Sequence, residues 1–230
     1  MLFYKLFNGL FGCSFCLHPG SIVQNKRVYP FDICDIPPLR SLDGTLNILE
    51  NIRNNVYNEK SGITGDCYLN KLGYFNIHEM QSIDSMHNIF INIFKTIFGL
   101  FFNKSNHQEE YYINDEKRNK ISKLITNQNF PRSFLRRKLR PLSEFSNYKA
   151  YEKRLIMFYL FDNFFGDYLE SKYFNIISHF FKQLKRICCY RIKKSDLVDI
   201  KNELCLCLHI FRKLFGVCKK FSKIIFCWNF

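Results

Sequence analysis

At 230 residues the chain can bury a full core, which favours one domain, with or without a smaller appendage, over two equal ones. Its ten cysteines do not follow the spacing of a small disulfide-stapled secreted domain, so a reducing compartment is the simpler reading. Of the net charge of +14, residues 131–230 supply 21 basic against 8 acidic side chains while the first 130 hold 13 against 12, which places the positive field in the C-terminal part and favours a polyanionic partner there.

Residues 1–20 combine one lysine, Lys5, with an apolar run from Leu6 to Leu17. That run has the length of a signal-peptide core and is too short to span a bilayer, so it reads as a signal or anchoring segment or as a buried N-terminal helix. Cys13 and Cys16 beside it are candidate lipidation sites. Residues 21–84 read as a small irregular and β-hairpin region. Pro30, Pro37 and Pro38 hold the lead-in extended; a short helix capped by Asp43 or Thr45 carries Leu46, Leu49, Ile52, Val56 and Tyr57; and a hairpin turns at Asn70 and Lys71.

Residues 85–130 read as amphipathic helices and a polar linker. Between Gln81 and Phe102 the polar Asn88, Asn92, Lys95, Thr96 and Gly99 form a narrow stripe, which predicts burial of Ile89, Phe90, Ile93, Phe94, Ile97, Phe98 and Phe101. A polar break follows, then a charged helix to about Ile125. Residues 131–230 read as a basic helical region. A proline-bounded stretch, Pro131 to Pro141, carries Arg132, Arg136, Arg137, Lys138 and Arg140. Three helical patterns come after it, the first interrupted near Gly166 and the second running from Tyr173 to Ile187. The third spans Leu204 to Phe226, its apolar positions opposed by Arg212, Lys213, Lys219, Lys220 and Lys223.

Motifs that would carry chemistry are weak. Cys13, Cys16, His18 and Cys34 could hold zinc by number, but apolar Phe15 and Leu17 sit between the ligands. Cys205, Cys207 and His209 would scatter around a helix. Tyr68 to Glu79 loosely follows a calcium loop with Tyr68 and Leu72 at ligand positions, Gly62 to Gly65 resembles a phosphate-clamping turn without its basic residue, and nothing sets His78, Glu79 and His87 in a cleft. No residue supports a catalytic role, a cofactor or a small-molecule substrate.

Arg140, Leu142 and Glu144 have the form R-x-L-x-E and follow the apolar segment Ile89 to Phe102 by about forty residues. In that arrangement the stretch resembles the export element of malaria-parasite proteins sent into the host red cell. The resemblance covers these residues and their spacing and implies an exported or secretory destination.

The sequence thus predicts a mainly α protein, a helical C-terminal bundle with a small irregular or β-hairpin N-terminal portion. The function it favours is a non-enzymatic, membrane-associated interaction protein using a basic amphipathic helix against an anionic membrane surface or an acidic protein. The alternatives are nucleic-acid binding through the cluster at 132–140 and a helical subunit of a larger assembly.

Overall fold

The computed structural model of the chain describes residues 3–5, 9–23, 25–29, 36–56, 61–66, 68, 72, 76, 78, 84, 86–131 and 138–216. The fold is mainly α, with a C-terminal helical bundle and a few short strands near the N-terminus. Two compact units divide it, one built on residues up to 83 and one running from Asp84 to Leu214. The first unit also takes in residues 215–230; residues 1–83 hold seven basic and seven acidic side chains, residues 84–214 hold 24 and 13, and residues 215–230 hold three and none.

In the N-terminal unit, β1 (Phe3–Tyr4) pairs antiparallel with β4 (Ile63–Gly65), while β2 (Ser21–Val23) and β3 (Lys26–Val28) form a hairpin in the register Ser21 to Val28 and Val23 to Lys26. The hairpin therefore lies within the stretch expected to be an extended lead-in. Its local signal is Asn25, which takes the left-handed conformation, φ 58°, that a tight hairpin turn needs. The hairpin expected around Asn70 and Lys71 falls mostly outside the described residues, and Ile63–Gly65 pairs with a strand sixty residues earlier.

Residues 9–20 form no helix but bends and extended backbone. The buried Arg40 knits them in by donating to the carbonyls of Cys13 (2.8 Å), Phe11 (2.8 Å) and Ser61 (2.7 Å). Tyr29 adds a second tie, its hydroxyl donating to Gly9 O (2.8 Å) and accepting from Gly12 N (3.1 Å). Gly62 is dictated by close approach: its φ is +67° and an added Cβ would collide with the Phe11 carbonyl. The short helix α1 (Leu42–Arg53) is capped by Ser41, whose Oγ accepts from Gly44 N (3.1 Å), and not by Asp43 or Thr45. It buries Thr45 and Leu49 and leaves Leu46 exposed, so its inner face is rotated from the one expected.

The helical unit opens with a π-helical segment, Met86–Ile93, that continues into α2 (Phe94–Phe102). All seven residues from Ile89 to Phe101 assigned to the inner face are buried; of the polar stripe, Asn92 and Lys95 are exposed, Asn88 and Thr96 are half-buried, and Gly99 is buried. No helix among the described residues is long and apolar enough to cross a membrane, and this apolar stretch forms core instead. After α3 (Asp115–Thr126), capped by Asn114 Oδ1 accepting from Lys117 N (2.9 Å), come α4 (Ala150–Leu155), a second π segment (Ile156–Leu160) and α5 (Phe161–Phe164). The interruption expected near Gly166 is a 3-10 turn, Gly166–Tyr168, before α6 (Ser171–Ile187) and α7 (Lys194–Phe215).

Phenylalanine rings fill the space between these helices. Phe94 stacks on Phe98 with centroids 4.0 Å apart, Phe98 meets Phe165 edge-on at 5.6 Å, Phe161 meets Phe181 at 5.0 Å, and Phe180 meets Phe211 at 5.2 Å, joining α6 to α7. Each such pair adds roughly 0.5–1.5 kcal/mol to the burial of its rings. The third helical pattern is shorter at its end and longer at its start than expected. Gly216 sits at φ +74° directly after Phe215, the left-handed position that terminates helices, and the rest of the expected pattern to Phe226 lies outside the described residues.

Candidate basic interface

Carboxylates of the helical unit hold five of its cations. Arg118 bonds Asp115, Lys120 bonds Glu116 (2.7 Å), Lys182 bonds Asp162 (3.2 Å), and Lys172 bonds both Glu110 and Glu170. The Glu110 bridge reaches across 62 residues and also accepts from the Tyr173 hydroxyl (3.0 Å), so Lys172 holds the Glu110 carboxyl below its ordinary range.

Arg140 is likewise committed. Its Nη2 lies 3.0 Å from Glu152 Oε2 and its Nε 3.3 Å from Oε1, while Glu152, whose side chain is 2% exposed, also accepts from Lys149 N (2.7 Å) at the start of α4. Tyr148 donates its hydroxyl to the Arg140 carbonyl; burial, with the Glu152 charge behind it, pushes that phenol well above its ordinary pKa. Leu142 is fully buried and its N–H donates to Ser122 Oγ (3.0 Å); Glu144 is exposed. The R-x-L-x-E residues are therefore built into the helical unit. Of the remaining basic stretch, Lys138 is exposed, and Arg132, Arg136 and Arg137 lie outside the described residues, as do Lys219, Lys220 and Lys223.

Arg212 and Lys213 are exposed at the end of α7. The apolar face assigned to that helix is not available, however: Ile200, Leu204, Cys207, Leu208 and Phe211 are all buried in the bundle. What α7 turns outward is mixed, with Val198 and Leu206 flanking exposed Asp199 and Asn202.

A group of cations gathers instead where α6 ends and α7 begins. Lys185, Arg186, Arg191, Lys193 and Lys194 fall within ten residues that contain no Asp or Glu. All are exposed except Lys185, which is half-buried with its Nζ 4.1 Å above the Tyr159 ring and a bond to the Phe158 carbonyl. The exposed Arg154 of α4 joins them, close enough to Cys188 for its charge to act on that thiol. None of the six has a carboxylate within ion-pair distance among the described residues. Lys185 and Arg186 complement the negative end of the α6 dipole, but Lys193 and Lys194 stand at the positive end of α7, where cations are disfavoured. Their position does not serve helix stability. Single-sequence reading passed over this group because the proline-bounded cluster at 132–140 has the same number of basic residues; the distinguishing signal is the ten-residue run without an acid.

The other candidates separate. Cys16 is buried, its segment bridging to Leu39, and Cys13 is half-buried. His18 Nδ1 accepts from Gly20 N (2.8 Å), Cys34 lies outside the described residues, and no three His, Cys, Asp or Glu side chains come together among those described. Gly62 to Gly65 is not a clamp loop, since Ile63–Gly65 is strand. His78 is buried in the N-terminal unit with Nε2 2.7 Å from Thr45 Oγ1, whereas His87 is exposed in the helical unit and paired with Asp84. Most of the calcium-like stretch lies outside the described residues. Comparison with known proteins returns no similar family model, no similar curated protein and no similar solved structure.

Proposed function

We propose that this chain is a non-enzymatic interaction protein that docks on an anionic membrane surface through the cationic corner between α6 and α7. The observation that carries the reading is clustering: Lys185, Arg186, Arg191, Lys193 and Lys194 fall in a ten-residue run without an acid, Arg154 lies close enough to act on Cys188 within it, and none of the six has a carboxylate within ion-pair distance among the described residues, whereas Arg118, Lys120, Arg140, Lys172 and Lys182 are each held by one. Exposed cations near an anionic bilayer contribute about 1 kcal/mol each, and the five exposed ones, Arg154, Arg186, Arg191, Lys193 and Lys194, together would hold a protein of this size at the surface.

Docking leaves the bundle intact. Peeling α7 away to lay its apolar face on lipid would uncover five buried side chains, Ile200, Leu204, Cys207, Leu208 and Phe211. At roughly 1.5–3 kcal/mol for each, that exposure costs on the order of 10 kcal/mol, comparable to the whole stability of a domain.

Vesicle flotation of the full chain tests this. Binding should require phosphatidylserine in phosphatidylcholine vesicles and fade as salt rises. Replacing Arg186, Arg191, Lys193 and Lys194 by Gln should weaken it by about 100-fold or more. Equal binding to purely zwitterionic vesicles, or none to anionic ones, would overturn the reading.

A further inference from the structure

We infer that the α6–α7 junction is the part of the molecule that enters the headgroup layer, with Tyr190 as its aromatic anchor. The inference rests on the docking reading above and names the side chain that makes the apolar contact. Tyr190 is 97% exposed, at the centre of the five-cation run, with the Arg191 guanidinium 5.9 Å from its ring. Its hydroxyl makes no hydrogen bond within the described residues. A tyrosine left fully in water by a folded chain suits a boundary where the ring meets acyl chains and the hydroxyl meets headgroups.

The chain on both sides is fixed. Cys188 N donates to Leu184 O (3.1 Å) and Cys189 N to Arg186 O (3.2 Å) as α6 closes, and Asp196 N donates to Lys193 O (3.0 Å) as α7 starts. Tyr190 is therefore presented from a short corner between two long helices. The neighbours are suited to the same depth: Cys189 is exposed, Ile192 is half-buried, and Arg186, Arg191, Lys193 and Lys194 have long stems that lie along an interface while their charged ends reach phosphates.

Two other surfaces compete less well. Val198 and Leu206 on α7 are exposed at 61% and 48%, but Asp199 stands beside them and would be driven against anionic headgroups. A nucleic-acid reading would use Tyr190 for stacking, yet such sites set several open aromatic rings along a groove, and the Tyr159 ring is covered by Lys185.

The chain holds a single tryptophan, Trp228, so Trp228→Phe combined with Tyr190→Trp gives a full-length protein with one indole, at position 190. On vesicles containing phosphatidylserine its emission should shift to the blue, resist acrylamide and be quenched by lipids brominated along the acyl chain. No such change should occur with phosphatidylcholine alone. Tyr190→Ala should weaken binding to the anionic vesicles by about ten-fold, the equivalent of losing part of one ring's burial. Vesicle binding with the indole still in water would overturn the inference and leave the docking reading standing. Absence of vesicle binding would overturn both, and protection of the indole by single-stranded RNA but not by vesicles would replace them with nucleic-acid recognition.

Discussion

Glu152→Ala removes the group that holds the start of α4 to the segment before it, and its cost follows from the bonds lost. The carboxylate accepts from Arg140 Nη2 at 3.0 Å and Nε at 3.3 Å, and from Lys149 N at 2.7 Å. A hydrogen bond to a charged group contributes about 1.5–3 kcal/mol and an N-terminal capping bond about 1 kcal/mol. Against this, the Arg140 side chain is 34% exposed and can return partly to water, so the loss is discounted to about 3 kcal/mol. In urea, with a slope of about 2 kcal/mol per molar, the unfolding midpoint of the helical unit should fall by about 1.5 M. Circular dichroism at the helical band follows mainly that unit, since it holds most of the described α-helical residues. Glu152→Gln, which keeps an oxygen for Lys149 N, should fall between Glu152→Ala and wild type, and the exposed Glu144→Gln should shift the midpoint by less than about 0.3 M. Equal midpoints for Glu152→Ala and Glu144→Gln would refute the reasoning.

Burial, assisted by the Arg40 charge, holds the His78 imidazole below its ordinary pKa, so the unfolded chain binds the proton first. Its contribution to the N-terminal unit is complete above about pH 6.5 and is lost as pH falls toward and through the lowered value. Hydrogen exchange at α1 amides, corrected for intrinsic rates, should therefore accelerate on acidification in wild type and much less in His78→Gln; an equal acceleration in both would count against this. Gly62→Ala, which forces a side chain into the Phe11 carbonyl at a left-handed φ, should destabilise the same unit by more than about 2 kcal/mol, seen as faster proteolysis of residues 9–23, and unchanged cleavage would contradict the packing. Burial pushes the thiol of Cys207 up to about 12 and that of Cys188 up to about 11, whereas Cys189 is exposed. Native alkylation followed by peptide mapping should label Cys189 ahead of Cys188, and Cys207 only after denaturation.

The helical core was legible because its periodicity is strong. The polar stripe of Asn88, Asn92, Lys95, Thr96 and Gly99 identified seven buried residues from Ile89 to Phe101, although Gly99 is itself buried, and the pattern from Tyr173 to Ile187 forms α6, which buries Tyr173, Ile177, Phe180, Phe181 and Leu184 and leaves Ile187 half-buried. Local capping was less legible: Ser41 and Asp43 are both good caps, and only the backbone geometry shows that Ser41 is used. The end of α7 was misjudged because Gly216 costs little inside a helical pattern on paper, yet its left-handed backbone closes the helix. The candidate interface was the least legible of all. Which cations are compensated depends on carboxylates brought from a distance, Glu152 to Arg140 and Glu110 to Lys172, and no spacing rule in one sequence supplies those pairs. The short strands escaped for a similar reason, since β1 and β4 are partners only in the folded unit.

The two widened segments, Met86–Ile93 and Ile156–Leu160, meet through Phe90 and Phe158, edge to face at 5.4 Å. A π turn accommodates one residue more than an α turn of the same height. Each segment thus holds spare chain length at the place where the two helical runs touch. Excising one residue from Ile156–Leu160, with Tyr159 the most exposed choice, would let the helix rewind to the tighter pitch and keep Phe161 and Phe165 facing inward, whereas the same excision from the regularly wound α6 would turn every later core side chain by about 100°. Tolerance of length change in this bundle is therefore concentrated at that aromatic crossing.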